Sequence, residues 1–583
     1  MTPFSRLAAA FSTLEATSSR TAMVATLSAL LKSLDPEEVQ PAVYLIQGRL
    51  GPQFDAPQFG FSEKLTTRAL AQWSGRPVAE IERLYRTHGD HGLVAEKVLR
   101  IKRTGRRAPL RAVEVYEALR ALAETSGSGS VQGKIDALVS LLRRATPEEA
   151  KYILRIPMGG MRLGVGDATI MDALAISRGD KKLRPVIERA YNLCSDLGLV
   201  AGTLYSAGPN ALAAFKVEVG RPVKMQFAER VKDIADIVRR MGKCVVEPKY
   251  DGFRCQVHKN GTKVRIFSRN QEDNTAMFPD IVRAVAKQVK ASRAILEGEA
   301  LAYDAQTDTF FPFQVTVQRK RTHGIAEAEA AYPLRLNVFD LLYVDRTDMT
   351  SEPYRKRRAR IRTLLAAGTA LAPASALVSG DVQEITRYFE TQITDGLEGI
   401  VAKRLDSPYE AGKRSFNWIK FKRAYHGALK DTLDLAIVGY FAGRGARAKL
   451  GIGAVLCAVY DDKSDRFKTL AKVASGLSDD GWIVLRKRLE KHAVSRRPAR
   501  VDSRIEPPYW VEPTLVVEVF ADEITRSPVH TAGVGTDDEP TGFALRFPRI
   551  VRGVREDRQP EDATSEREVV RLFRLQRRAR SKA

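Results

Sequence analysis

Cysteine is scarce in this chain of 583 residues: there are four, Cys194, Cys244, Cys255 and Cys457, and no two form a CxxC pair. Such scatter disfavours a disulfide framework and a four-cysteine zinc module, and it fits a reducing compartment. Histidine is also sparse, at seven. The close pair His88-x-x-His91, beside Gly89 and Asp90, has no partner cluster and reads as a loop rather than a metal site. No apolar run approaches the ~18 residues of a membrane-spanning helix. Residues 1–31 are rich in alanine, but Ser, Thr, Glu15 and Arg20 interrupt them, so they read as amphipathic helix and not as a signal peptide. A cytoplasmic protein is expected, nucleoid-associated if the source is prokaryotic, with no membrane partner. Acidic residues are in deficit too: 70 against 94 basic ones give a net charge of +24. That excess favours a polyanionic partner such as nucleic acid.

The length suits about three or four domains, and the residue pattern changes along the chain. Residues 1–215 read as all-α, since Val94, Val98 and Ile101, then Val115, Leu119 and Leu122, recur at helical spacing. Asp35-Pro36-Glu37-Glu38 and Thr146-Pro147-Glu148-Glu149 each offer an N-cap, a proline at the first helical position and a capping-box glutamate. Each precedes a Gly-and-basic element, Gly48-Arg49-Leu50-Gly51 and Met161-Arg162-Leu163-Gly164. Ala69-Leu70-Ala71 and Ala173-Leu174-Ala175 then echo one another, so an internal duplication of period roughly 110 residues is expected. Either the paired turns touch phosphate backbone through exposed amides, or the glycines merely end helices. Between the copies, the basic run of residues 100–107 favours a nucleic-acid face, and the polar residues 125–130 suit a linker or a phosphate-contacting loop.

Residues 216–428 read as mixed α/β, with strands at 264–267, 294–296 and 336–340 and helices at 278–291 and 355–365. Residues 429–583 read as β-rich, with strands at 435–441, 453–460, 467–473 and 515–519; a five-stranded OB-fold β-barrel suits this spacing, followed by a basic C-terminal helix.

One stretch organises the middle region: Glu247-Pro248-Lys249-Tyr250-Asp251-Gly252-Phe253-Arg254. Lys249 falls between two strand-like runs, and Asn260-Gly261 signals a hairpin turn just after. An amine attacks phosphorus only when neutral, so such a lysine needs desolvation, nearby cations or a metal. Five stretches follow in order. Phe267-Ser268-Arg269-Asn270 ends a strand with a guanidinium, and Leu296-Glu297-Gly298-Glu299 puts two carboxylates at a strand end. Phe339 is placed to stack on a base. Glu398-Gly399-Ile400-Val401-Ala402-Lys403 offers a metal-ligand carboxylate and an amine, on opposite faces of an ideal strand. Arg414 and then Trp418-Ile419-Lys420-Phe421-Lys422 set Lys420 and Lys422 on one face.

This ordered set resembles the covalent nucleotidyltransferase superfamily, and nearly the whole chain resembles the ATP-dependent DNA ligases of archaeal and eukaryotic replicative type, down to Leu545-Arg546-Phe547-Pro548-Arg549 and Arg555-Glu556-Asp557-Arg558. The resemblance implies that Lys249 accepts AMP and Glu247 contacts adenine. Arg254, Arg269 and Glu299 would hold the ribose and neighbouring phosphate, with Phe339 stacked on the base. Arg414 and Lys420 would contact phosphates, with Lys403, Lys422, Arg555 and Arg558 as further phosphate contacts. Glu299 and Glu398 would bind metal. It further implies ATP and Mg²⁺ as cofactors and nicked duplex DNA as partner of a monomer, with no sliding-clamp peptide evident. Two departures stand out: Arg558 replaces the usual lysine, and Glu297 a common aspartate. Capping guanylyltransferases and RNA ligases share the lysine motif, but capping enzymes lack a duplicated helical region before it. NAD-dependent ligases carry the four-cysteine module that is missing here. A non-catalytic nucleic-acid-binding protein would not need every nucleotide-site residue.

Overall fold

In the computed structural model the chain forms two compact units, Met1–Lys422 and Arg423–Ala583. The structure describes all residues except 58–59, 61, 102–107, 126, 128, 159, 232, 305–308, 312, 320, 322, 396, 423–431, 444, 537–538 and 582–583. Most of the basic run at 100–107, and two positions of the 125–130 loop, therefore lie outside the described residues.

Among the described residues, Phe4 to Ala213 hold only helices and their connections, and the two expected N-caps form. Asp35 N–H donates to the Glu38 carboxylate at 3.3 Å, while Thr146 and Glu149 exchange both capping-box bonds, at 2.8 and 3.2 Å. Helices beginning at Arg20, Pro36, Glu63, Val78 and His91 are matched by helices beginning at Ser130, Pro147, Asp167, Arg184 and Leu197, offsets of 110, 111, 104, 106 and 106 residues. The packing reciprocates. Pro36–Ile46 lies on Leu197–Ala207, and its counterpart Pro147–Arg155 lies on His91–Ile101; Arg20–Lys32 lies on Asp167–Ser177, and Ser130–Arg144 on Glu63–Ser74. Four helices of each copy thus pack against the other copy, while Val78–His88 and Arg184–Cys194 pack within their own, which gives one shared core and an internal pseudo-two-fold.

The correspondence reaches single side chains. Buried Asp90 and Asp196 stand at the starts of equivalent helices. Asp90 takes the Arg155 guanidinium at 2.7 Å, and Asp196 takes the Tyr44 hydroxyl at 2.8 Å. Two residues on, Gly92 and Gly198 let the paired helices touch: a Cβ there would overlap the Lys151 carbonyl oxygen or the Tyr44 ring. The turns that follow the capped helices also meet, since a Cβ on Gly48 would fall 3.0 Å from Met161 Cγ. Arg162, at φ +57°, turns its guanidinium inward to Asp90 (3.1 Å) and the Gly89 carbonyl (3.0 Å). His91 is buried with Nε2 2.9 Å from the Thr67 hydroxyl, at a helix start rather than in the expected loop. No cluster of three or more potential ligands occurs among the described residues.

The rest of this unit holds two sheets. One has the strand order Phe227–Arg230, Arg414–Lys422, Gly399–Arg404, Cys244–Lys249, Leu377–Ser379. The other is built on Lys263–Ser268, Phe253–Asn260, Arg293–Asp304 and Leu334–Val344. Helices Pro279–Gln288 and Tyr354–Leu364 match the expected ones to within three residues at each end. The expected Asn260-Gly261 turn is displaced by one: Asn260 still pairs with Lys263, Gly261 alone takes positive φ (+58°), and the loop is Gly261-Thr262. That is the pattern of a turn with glycine in first position. The helical part is joined to this part by Asn192, whose amide donates to the Ala411 carbonyl (2.9 Å), and by Phe54, edge-on to Phe267.

The second unit is β-rich. Leu433–Phe441 pairs with Ala454–Asp461, which pairs with Arg466–Val473, while Val516–Phe520 pairs with Leu433–Phe441 and Arg549–Val554. Helix Asp479–Glu490 drives Trp482 and Leu485 into the core, and helix Glu566–Ser581 forms the expected C-terminal helix. No helix of the described residues is long and apolar enough to cross a membrane. If the close helix approach organises the duplicated core, Gly92→Ala will lower stability by about 1–3 kcal/mol through overpacking, read as a lower denaturant midpoint at unchanged slope.

Candidate nucleotide site

Strand register brings the first sheet's functional side chains together. Lys249 stands opposite Gly399, which stands opposite Lys422; Glu247 aligns with Val401 and Lys420, and Val245 with Lys403 and Trp418. Residues at every second position share a face, so Lys249, Glu247, Lys403, Trp418, Lys420 and Lys422 all line one cavity. Perfect alternation would leave Glu398 on the far face. Gly399 prevents this with φ +145°, a setting closed to larger residues because a Cβ would overlap the Phe421 carbonyl. Glu398 therefore ion-pairs with Lys249 and lies 2.7 Å from Lys422 Nζ. Burial alone would raise the Glu398 carboxyl; the Lys249 and Lys422 ammoniums outweigh it and hold the group below its ordinary range.

The second sheet supplies the opposite wall. Arg254 is in register with Glu299, and Gln256 with Glu297. The register slips so that Glu297 opposes Asp340 while Gly298 opposes Val338. Phe339 is the extra residue of this bulge, which re-aims its ring. Arg254 is fixed by buried Glu297 (2.9 Å) and by the Gln226 carbonyl (2.7 Å), and Glu297 also accepts from Gln256 and the Tyr409 hydroxyl. Burial pushes the Glu299 carboxyl up to about 7, in spite of Lys249 and Arg254 nearby.

Two of the expected residues are buried among partners of their own. Glu247 is 2% exposed, and its carboxylate is taken up by Arg358, by the Tyr354 hydroxyl and by Lys403 at 2.8 Å. Lys403, expected among the phosphate contacts, is 1% exposed. Its ammonium lies 4.4, 4.6 and 4.2 Å from the ring centres of Phe339, Tyr354 and Trp418, and burial lowers its pKa. It belongs with the aromatic end of the cavity, because strand alternation sends it down beside Glu247 rather than toward Glu398. Removing one partner from such a buried pair costs about 3–5 kcal/mol, so this cluster is a rigid floor.

The cavity encloses about 520 Å³ and is lined by Lys249, Glu247, Arg254, Arg269, Glu299, Phe339, Glu398, Lys403, Arg414, Lys420 and Lys422, within the range of roughly 300–1,000 Å³ typical of small-molecule sites. One end is aromatic and the other strongly cationic, as a base and a phosphate chain require. Arg555 and Arg558 belong to the second unit, where both pair with Asp434, at 3.1 and 3.5 Å. Sequence reasoning missed Tyr354 and Arg358, which sit on the helix Tyr354–Leu364, and missed Tyr409 and Gln226. Tyr354, Ile361 and Leu364, recurring at helical spacing, were the available signal for the face that turns inward.

These features make a cavity with an aromatic and a cationic end around Lys249, and comparison with known proteins makes the family specific. The descriptions "DNA ligase N terminus", "ATP dependent DNA ligase domain" and "ATP dependent DNA ligase C terminal region" match residues 3–175, 225–422 and 448–558. A "Probable DNA ligase" of Dictyoglomus thermophilum is 50% identical over 98% of each chain. "DNA ligase 2" of Thermofilum pendens is 41% identical over 99% of this chain and 98% of its own. The solved structure Pmar-Lig_Pre. shares the fold at a TM-score of 0.52, with 17% identity over 94% of this chain and 99% of that one. The chain belongs to the ATP-dependent DNA ligase family.

A carboxyl whose folded pKa is raised favours folding most at low pH and loses that contribution as pH climbs through the raised value. For Glu299, at about 7 against an ordinary 4.5, nucleotide-free protein is expected to lose up to about 3 kcal/mol relative to Glu299→Gln between pH 5 and pH 8. Denaturant titrations of both proteins at the two pH values check it.

Proposed function

We propose that this DNA ligase seals nicks in duplex DNA with Lys249 as the carrier of AMP; the observation that carries the reading is the convergence of Lys249, Glu299, Glu398, Lys420 and Lys422 on one cavity with an aromatic floor. Lys249 Nζ, having given its ammonium proton to solvent, attacks the α-phosphorus of ATP as the neutral amine; the nitrogen–phosphorus bond forms as the bond to the bridging oxygen breaks, and pyrophosphate leaves. AMP then passes to the 5′-phosphate at the nick, and the 3′-hydroxyl displaces it to close the backbone. Such chemistry demands positioning and charge neutralisation more than covalent help. Phe339 stacks on the adenine, over a floor in which Glu247 holds Lys403. Arg254, Arg269 and Glu299 hold the ribose and the neighbouring phosphate, while Arg414, Lys420 and Lys422 take the phosphates.

The carboxylates of Glu299 and Glu398 suit Mg²⁺, which binds through one or two carboxylates plus substrate phosphates rather than in an all-protein cage. Bound there, the ion neutralises charge on the phosphate oxygens. Glu398 has a second task without it, pinning Lys249 and Lys422 by charge. Burial, followed by Arg414, Lys422, Lys249 and Arg269, pushes the Lys420 ammonium below its ordinary value, a sign of how much positive charge waits for the triphosphate.

The finer architecture completes the reading: a helical DNA-binding domain at 1–215, an adenylation domain at 216–428 and an OB-fold domain at 429–583, acting as a cytoplasmic monomer. The adjoining turns at Gly48–Gly51 and Met161–Gly164 present amides to two stretches of phosphate backbone; Arg162, tied to Asp90, shapes its turn instead of reaching out. Arg555 and Arg558 act in the first step. A net charge of +24 predicts sequence-independent binding that weakens steeply with salt. Incubation with α-labelled ATP and Mg²⁺ will label the protein, and a chase with nicked DNA will remove the label. Lys249→Ala is expected to bind nicked duplex with no label at all. Persistent labelling of that variant, or labelling by GTP in place of ATP, contradicts the reading.

A further inference from the structure

Phe227 lies 22 residues before Lys249, on the short strand Phe227–Arg230 that runs parallel to Arg414–Lys422, with Phe227 opposite Arg414 and Arg230 opposite Lys420. Three arginines of the cavity converge on this segment. Arg254 Nη1 donates to the Gln226 carbonyl at 2.7 Å, and Arg414 Nη1 donates to the Ala228 carbonyl at 3.2 Å. Between these two carbonyls, the Phe227 ring centre lies 4.9 Å from the Arg269 guanidinium carbon and 5.7 Å from that of Arg414. The strand itself is held rigidly. Gln226 is fully buried, its N–H donates to the Tyr409 hydroxyl, and its side-chain oxygen accepts from the Glu410 N–H, both at 2.9 Å. Phe227 N–H is bonded to the Lys413 carbonyl at 2.9 Å.

We infer that Phe227 is a positioning residue for ATP, its ring gathering the guanidiniums of Arg269 and Arg414 at the phosphate end of the cavity before the nucleotide arrives. The inference rests on the ligase reading given above and deepens it. Arg269 and Arg414 are exposed, long and of like charge, so without a common partner they repel each other and spread over many rotamers. Ordering them on binding would then cost entropy. An aromatic face attracts each cation through its quadrupole, and a planar guanidinium keeps its fork of donors free while stacked. Leucine fills similar space but has no such face.

The discriminating measurement is the ATP dependence of self-adenylation by the full-length wild-type, Phe227→Leu and Phe227→Tyr proteins with α-labelled ATP and Mg²⁺. Loss of the cation–ring attraction is expected to raise KM for ATP about 3- to 30-fold in Phe227→Leu, with kcat and the unfolding midpoint near wild type. Phe227→Tyr, which keeps the ring, is expected to behave as wild type. An unchanged KM in Phe227→Leu overturns the inference. So does a Phe227→Tyr protein as impaired as Phe227→Leu, or a loss in kcat with KM unmoved. Absence of label from the wild-type protein would overturn the ligase reading itself, and this inference with it.

Discussion

The backbone of Gly399 decides where the charge of Glu398 is placed. At φ +145° the chain crosses from one side of the sheet to the other, and the Glu398 carboxylate lands between Lys249 and Lys422. Without that setting, the strand would present either the carboxylate or Lys403 to the cavity, never both. Everything else in the cavity is arranged around this placement. The cationic end gathers around Glu398, and the aromatic end gathers around Glu247 and Lys403, which pair across the neighbouring strands Cys244–Lys249 and Gly399–Arg404. A nucleotide has the same polarity, apolar base at one end and polyanion at the other.

The two ends solve their electrostatic problems differently. Beneath the rings, charges are fully paired: Glu247 has three partners, and Arg357 and Asp340 lock together in complete burial behind it. Around Glu398, cations outnumber anions; burial first, and then these neighbouring cations, depress the Lys420 ammonium. Paired charge gives rigidity, and unpaired charge gives affinity for a polyanion that has yet to bind. In the helical part Asp90 repeats the first strategy by pairing with Arg155, while its counterpart Asp196 accepts from the neutral Tyr44 hydroxyl.

Much of this was legible in the sequence because it depends on local rules. Capping boxes at Asp35 and Thr146, and the echo of Ala69-Leu70-Ala71 in Ala173-Leu174-Ala175, exposed the duplication, and period-two alternation put Lys420 beside Lys422. What escaped depends on long-range register. The slip that frees Phe339 is visible only when Arg293–Asp304 is laid against Leu334–Val344. The resemblance implied Lys403 as a phosphate contact, and alternation put it on the face opposite Glu398; nothing in Glu398–Lys403 reveals that Gly399 brings both side chains to one cavity. Arg358 and Tyr354 escaped because an expected helix at 355–365 does not by itself say which arginines turn inward, inward and outward arginines being identical as letters. Phe227 gave no signal, because its partners Arg269 and Arg414 are distant in sequence.

The central claim is that Lys249 forms a phosphorus–nitrogen bond to AMP. It is tested most directly by digesting the protein after reaction with ATP and Mg²⁺ and locating the added AMP by tandem mass spectrometry. The account predicts AMP on the peptide containing Lys249, released by acid and retained in alkali, as a phosphoramidate requires. AMP on any other residue, or an alkali-labile ester, would contradict it.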